Sequence, residues 1–203
     1  AGGVGGGADG AGRRRLFEER AVRPLLTVAM LAGLLMLLPI LGACQREAEP
    51  TPAPFAMTED AMGRYCGMNI LEHSGPKGQI ILAKYDEPIW FSSARDTIAF
   101  TMLPEEPKDI RAIYVSDMAK APNWDQPGAD NWVDARQAFF VIGSNAKGGM
   151  GTTEAVPFSS EEAATAFAGE HGGKVVRFDA VPRDYILEHQ AGSDAHAPSG
   201  EVH

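Results

Sequence analysis

Two sulfur-bearing side chains, Cys66 and Met68, stand two residues apart in the stretch Arg64-Tyr65-Cys66-Gly67-Met68, with only a glycine between them. Glycine removes the side chain that would crowd the two sulfurs, and an extended or turned backbone can aim both at one point. A thiolate and a thioether are soft donors, which favour Cu(I) over Mg, Ca or Mn. Zinc would want a third and a fourth Cys or His at short spacing, and no such set follows. The candidates for a third ligand are His73, seven residues on, and Met150 in the Gly-rich run Ala-Lys-Gly-Gly-Met-Gly-Thr-Thr-Glu from Ala146 to Glu154. Two other readings stand beside this one. A lone cysteine is often a small buried hydrophobe, a methionine a gap filler and a histidine a hydrogen-bonded turn residue. A nucleophilic cysteine needs a base and an orienting group; His73 with its neighbour Glu72 is the only local pair, and adjacent residues do not easily form such a relay.

The compartment bears on that choice. Arg13, Arg14, Arg15, Arg20 and Arg23 precede an apolar run from Leu25 to Ala43, which ends Leu41-Gly42-Ala43-Cys44 and gives way to a polar, Pro-rich stretch. This is the layout of a bacterial lipoprotein signal over residues 1–43, with Cys44 the lipidated residue. The run is nearly long enough to span a bilayer, but Pro39 and the small residues before Cys44 favour lipidation. Residue 45 is Gln and not Asp, which favours the outer over the inner membrane on the periplasmic side. Cleavage would remove five Lys/Arg and three Asp/Glu, taking the formal charge from −9 to −11. With no basic stripe to neutralise phosphates, nucleic acid is excluded as a natural partner. Cys66 then becomes an unpaired thiol in an oxidising compartment, a state that metal coordination would protect.

Behind the leader, residues 44–60 read as a lipidated cysteine and flexible spacer, and 189–203 as a disordered tail in which His189, His196 and His203 are spaced too widely to make a metal site. Between them the chain repeats. Ile89–Phe100, "IWFSSARDTIAF", and Val156–Phe167, "VPFSSEEAATAF", share Phe-Ser-Ser and a later Ala-Phe at the same offset. Each follows an apolar β-favouring run, Gln79–Tyr85 or Ala138–Ser144, and precedes another, Ile110–Asp117 or Lys174–Val181. The Ser-Ser pairs predict helix N-caps, Ser159 with Glu162 has the spacing of a capping box, and helices are expected over Ala94–Met102 and Glu161–His171, the second stopped at Gly172-Gly173. The expectation is an α+β fold of two duplicated β-β-α-β units, 61–122 and 123–188, each a small antiparallel sheet with a helix on one face, joined through Asn123–Asn131. The same offset carries Cys66-Gly67-Met68 to the neighbourhood of Trp132–Asp134, which holds no sulfur, so the fold does not require the motif. Ser74-Gly75-Pro76-Lys77-Gly78 reads as a turn leading into a strand at Gln79, and the three tryptophans as core or inter-unit packing.

Taken together, "YCGMNILEHSGPKGQI", "WFSSARDTIAF", "NWVDARQAFFVIGS", "GGMGTTEAVPF" and "EHGGKVVRFDAVP" resemble the NosL family, the accessory lipoproteins of nitrous oxide reductase, from about Met62 to Tyr185. The resemblance implies a Cu(I)-binding, non-enzymatic copper chaperone with a fold of two β-β-α-β units, similar in topology to an organomercurial lyase. It implies delivery of copper, with a membrane transporter complex, toward the copper–sulfur centre of nitrous oxide reductase. The family's Cys and Met fall on Cys66 and Met68; a histidine ligand is implied without being fixed, which keeps His73 a candidate, and Met150 falls in a family-like Gly-Met-Gly loop. A thiol-dependent enzyme on the lyase-like fold and a structural lipoprotein are the alternatives.

Overall fold

The computed structural model describes residues 50–191, with side chains through residue 187. The leader, Cys44, the start of the spacer, His196 and His203, and the side chain of His189, lie outside the described residues.

Strands β1 (Gly78–Leu82), β2 (Ile89–Phe91) and β3 (Ile110–Ser116) are the Ile/Val/Phe-rich runs of the first half, and they pair antiparallel in the order β2-β1-β3. Helix α1 (Ala94–Met102) lies between β2 and β3 in the chain. It starts where the Ser93 hydroxyl accepts the Asp96 N–H at 2.9 Å, a cap worth about 1 kcal/mol. The helix lies close on β1, since a Cβ added to Gly78 would fall 1.8 Å from Thr97 Oγ1. In the second half β5 (Phe139–Ile142), β6 (Val156–Phe158), α2 (Glu161–His171) and β7 (Lys174–Arg177) repeat the plan, with sheet order β6-β5-β7. Two β-β-α-β units of matching order are therefore present. One cap is shifted: Ser160, not Ser159, accepts the Ala163 N–H at 3.2 Å. The Ser159–Glu162 box does not form, because the Ser159 N–H donates to Asp117 Oδ1 at 2.9 Å.

The units are less separate than the sequence suggests. Strand β4 (Trp132–Asp134), from the second segment of chain, pairs with β3 and adds a fourth strand to the first sheet. The joint turns back on itself: Asn131 Nδ2 donates to Pro127 O and Asp117 O, both at 2.8 Å. A single core runs through both halves, from Ile80, Phe91, Ile98 and Val115 to Ala138, Phe140, Ala155 and Ile186.

Both ends also differ from expectation. From Pro50 the spacer is laid along the first sheet. Tyr114 Oη donates to Pro52 O at 2.6 Å, the Gln79 amide exchanges bonds of 2.9 and 2.8 Å with the Phe55 N–H and C=O, and the Met57 N–H donates to Ala129 O at 2.8 Å. Gln79 is fully buried, and an unmatched amide there would cost about 1–3 kcal/mol, so the strap satisfies a polar group that the sheet leaves open. At the other end helix α3 (Arg183–Ala191) enters the stretch assigned to the tail. It is held by Ile186, the one fully buried residue among its described side chains, and by the Arg95 guanidinium of α1, which donates to Tyr185 O and Ile186 O.

Candidate metal site

The sulfur motif sits in a closed loop at the β2 edge. Ala61 O accepts from the Ile70 N–H and Met68 O from the Gly63 N–H, each at 2.9 Å, while the Arg64 N–H donates to Trp90 O at 2.8 Å. The Gly67 N–H closes the inner turn on Gly63 O, and Gly67 adopts φ +64°, a conformation that glycine takes without strain. Ile70, fully buried with Met57 and Ala61, plugs the underside, against which Trp90 and Trp132 pack. Arg64 and Tyr65 fasten the loop to the main body: their side chains donate to Glu106 Oε2 at 3.2 Å and Oε1 at 3.1 Å. Burial, with the Glu106 charge next, pushes the Tyr65 hydroxyl well above the usual phenol range, so it stays protonated and donating.

Asn69 then turns the chain back. Its side-chain oxygen accepts the Leu71 N–H at 2.8 Å and starts a short 3-10 turn, Ile70–Glu72, which returns His73 to the cysteine. Cys66 Sγ and His73 Nε2 are 4.0 Å apart, and the thiol lies 3.8 Å from Met68 O. A first-row metal bonds thiolate at about 2.3 Å and imidazole at about 2.0 Å, so one ion spans that gap with both bonds made. Gly63 makes room for the sulfur, since a Cβ there would lie 2.5 Å from Sγ. The Met62–Asn69 bridge closes this loop, and Met68 lies within it, two residues from Cys66.

A second loop comes from the other half. The connection between β5 and β6 folds into a small hairpin with a Lys147–Thr153 bridge and its tip at Gly149-Met150-Gly151. The tip touches the first loop: a Cβ on Gly149 would lie 2.5 Å from His73 Cβ. Trp124 covers the junction, packing on Gly75, donating from Nε1 to Lys147 O at 3.2 Å and stacking on Phe167. Two titratable side chains are buried nearby. Lys77, in the expected turn, is 1% exposed and donates from Nζ to Gly75 O; burial lowers its pKa to about 8, against the raising effect of Glu154 and Asp125. Glu154 is equally buried, and burial raises it to about 8 despite bonds from the Ala155 and Arg95 N–H groups.

Of the candidate ligands, the structure brings Cys66 and His73 together. It leaves Met68, 39% exposed, and Met150, 51% exposed, as thioethers on the two loops beside that pair. Among the described residues no three His, Cys, Asp or Glu side chains gather where they could hold a metal. Sequence reasoning missed Gly63, Glu106, Gly149 and Glu154. Glu106 bonds across some forty residues of chain, and no local pattern announces it.

A fold of two joined β-β-α-β units, with a thiol–imidazole pair on a loop that also carries an exposed thioether, defines a small α+β module whose donors suit a soft metal. The chain belongs to the NosL family, whose model matches residues 54–186. It is 45% identical over 151 residues to the copper-binding lipoprotein NosL of Achromobacter cycloclastes, covering 74% of this chain and 78% of that one. Its identity to the copper-binding lipoprotein NosL of Stutzerimonas stutzeri is 31% over 160 residues, covering 77% and 82%. The crystal structure of the copper chaperone NosL from Shewanella denitrificans superposes with a TM-score of 0.61 at 36% identity, over 66% of this chain and 98% of that one.

Proposed function

We propose that this protein is a Cu(I) metallochaperone, anchored by lipid at Cys44 on the periplasmic face of a bacterial membrane, the outer more than the inner. Its cargo is copper for the copper–sulfur centre of nitrous oxide reductase, handed to that enzyme or to its delivery transporter complex. The observation that carries the reading is the Cys66–His73 pair, 4.0 Å apart at the surface, with Met68 exposed beside it. Thiolate and thioether favour Cu(I), and the relatives' names supply copper independently.

A carrier has to hold its ion against side reactions and still release it. A thiolate and an imidazole hold copper from two directions, and Gly63 and Gly67 leave the sulfur open to an incoming ligand. An acceptor's sulfur can then bond the ion before Cys66 lets go, so the copper passes without being free in solution. Met68, and Met150 on the facing loop, supply weaker bonds that break first. Only metal–ligand bonds are exchanged, one formed to the acceptor for each one released here, which makes the protein a binding protein with no turnover.

The test is anaerobic titration of Cu(I) into the purified protein against a chromophoric chelator. About one tightly held copper per chain is expected, lost in Cys66→Ser and weakened about 10-fold or more in Met68→Leu. Unchanged binding in Cys66→Ser would overturn the reading.

A further inference from the structure

The two halves share a plan but differ in the connection that follows their first strand. In the first half it runs over residues 83–88; in the second it runs over 143–155, more than twice as long. The extra length is the hairpin that meets His73, and a feature found in one copy alone is not a demand of the fold.

The hairpin closes on itself, with the Gly148 N–H donating to Thr152 O at 2.9 Å and the Gly151 N–H to Gly148 O at 2.8 Å, and its base is braced by long-range bonds. Glu154 Oε1 accepts the Arg95 N–H, at the start of α1, at 2.8 Å and the Ala155 N–H at 2.9 Å. The Arg95 guanidinium donates to Thr153 O and Oγ1 at 3.0 and 2.8 Å, and Tyr185 Oη donates to Glu154 O at 2.8 Å. Burying a carboxyl group and a guanidinium is costly. What they hold in place is a tip whose one large side chain, Met150, is half exposed. The tip is also tightly fitted: a Cβ on Gly148 would fall 2.7 Å from Glu154 Oε2, and one on Gly149 would fall 2.5 Å from His73 Cβ and 2.9 Å from Ser74 O. The glycines let the hairpin lie between the buried carboxylate and the histidine.

We infer that Glu154 and Gly149 are positioning residues for copper: Glu154 clasps the 146–154 hairpin to the start of α1, Gly149 lets it close on His73, and together they hold the Met150 thioether within reach of the ion. This rests on the reading of Cys66 and His73 as the copper pair. Outer residues of this kind typically alter metal affinity 10–100-fold when changed.

The experiment is a double-mutant cycle on Cu(I) affinity, with X-ray absorption to count sulfur ligands. Met150→Leu, Gly149→Ala and Glu154→Ala, which removes the acceptor of the Arg95 and Ala155 N–H groups, are each expected to weaken binding by about 10-fold and to remove one sulfur from the copper shell. Gly149→Ala/Met150→Leu and Glu154→Ala/Met150→Leu should bind as Met150→Leu does, because residues that act through one group are not additive. Gly149 lies at a surface tip, so its variant carries the test if Glu154→Ala does not fold. Additive losses, an unchanged affinity in Gly149→Ala, or no effect of Met150→Leu overturns the inference while the Cys66–His73 site stands. A wild-type protein that binds no Cu(I), or a Cys66→Ser variant that binds normally, overturns both.

Discussion

Gly63 shows how far the chemistry of one residue depends on what is missing from another. The cysteine sulfur occupies the place where a Cβ on Gly63 would be, 2.5 Å away, and the same Cβ would press Ile70 at 3.3 Å. Gly63 is not among the glycines with positive φ, so alanine there tests crowding and not backbone strain. Gly63→Ala is expected to push the thiol outward and away from His73, lowering Cu(I) affinity by about 10-fold and speeding alkylation of Cys66 in the apo protein. A variant with unchanged affinity and unchanged alkylation rate would show that the sulfur has another place to go. The motif around Cys66 was legible in sequence because its members are close in the chain. The fitted space above Gly63 was not, since it depends on how the Gly67 N–H closes the turn on Gly63 O and on where Ile70 packs, neither of which residue types alone reveal.

Among the elements, the end of β3 does most to join the two sheets. The Asp117 carboxylate accepts from the Ser159 N–H at 2.9 Å and the Ala119 N–H at 3.1 Å, and pairs with Lys120 at 3.0 Å; beside it the Met118 N–H donates to Pro157 O at 3.0 Å. Burial raises the Asp117 pKa, but the bonds from Ser159 and Lys120 outweigh it and hold the carboxyl below its ordinary value. A depressed folded pKa contributes stability that is present above the unfolded value and lost as pH falls through the folded one. Asp117→Asn is expected to cost about 1–3 kcal/mol in urea unfolding at neutral pH, with the gap to wild type narrowing in acid. A neutral result would assign the junction to apolar packing alone. Helices α1 and α2 were legible to the residue from their serine caps and from Gly172, because a cap is a local bond. The shift from Ser159 to Ser160 was not, since Asp117 competes for Ser159 from across the molecule.

At the scale of the whole molecule, the shared core holds the unusual pair Lys77 and Glu154. Burial raises Glu154 from 4.5 to about 8, so between those values the folded protein keeps a proton that the unfolded chain releases, and stability falls as pH rises. Burial lowers Lys77 from 10.5 to about 8, so above that pH the unfolded chain binds the extra proton and stability rises again. Chemical denaturation across this range should therefore show a minimum near pH 8, with the acid-side slope removed in Glu154→Gln. A profile that rises from pH 5 to 8 would show that both groups stay charged and paired. From sequence, Lys77 reads as part of a turn leading into a strand. The chain does bend at Gly75, and Lys77 is 1% exposed with its Nζ turned back onto Gly75 O.

By itself the sequence determined what is carried by neighbours in the chain: the β-β-α-β order of both units, the helix ends, and the soft donors at Cys66 and Met68. Period, capping and residue chemistry are local, and they survive without knowledge of the fold. Only the tertiary structure decided that β4 would complete the first sheet, that the spacer from Pro50 would satisfy Gln79, that His73 would return to Cys66, and that a hairpin from the second half would reach it. The His73 return rests on the turn that Asn69 starts; the new strand and the strap depend on a sheet edge or a buried polar group finding its partner at long range, and many segments of similar composition could have supplied that partner until packing chose one.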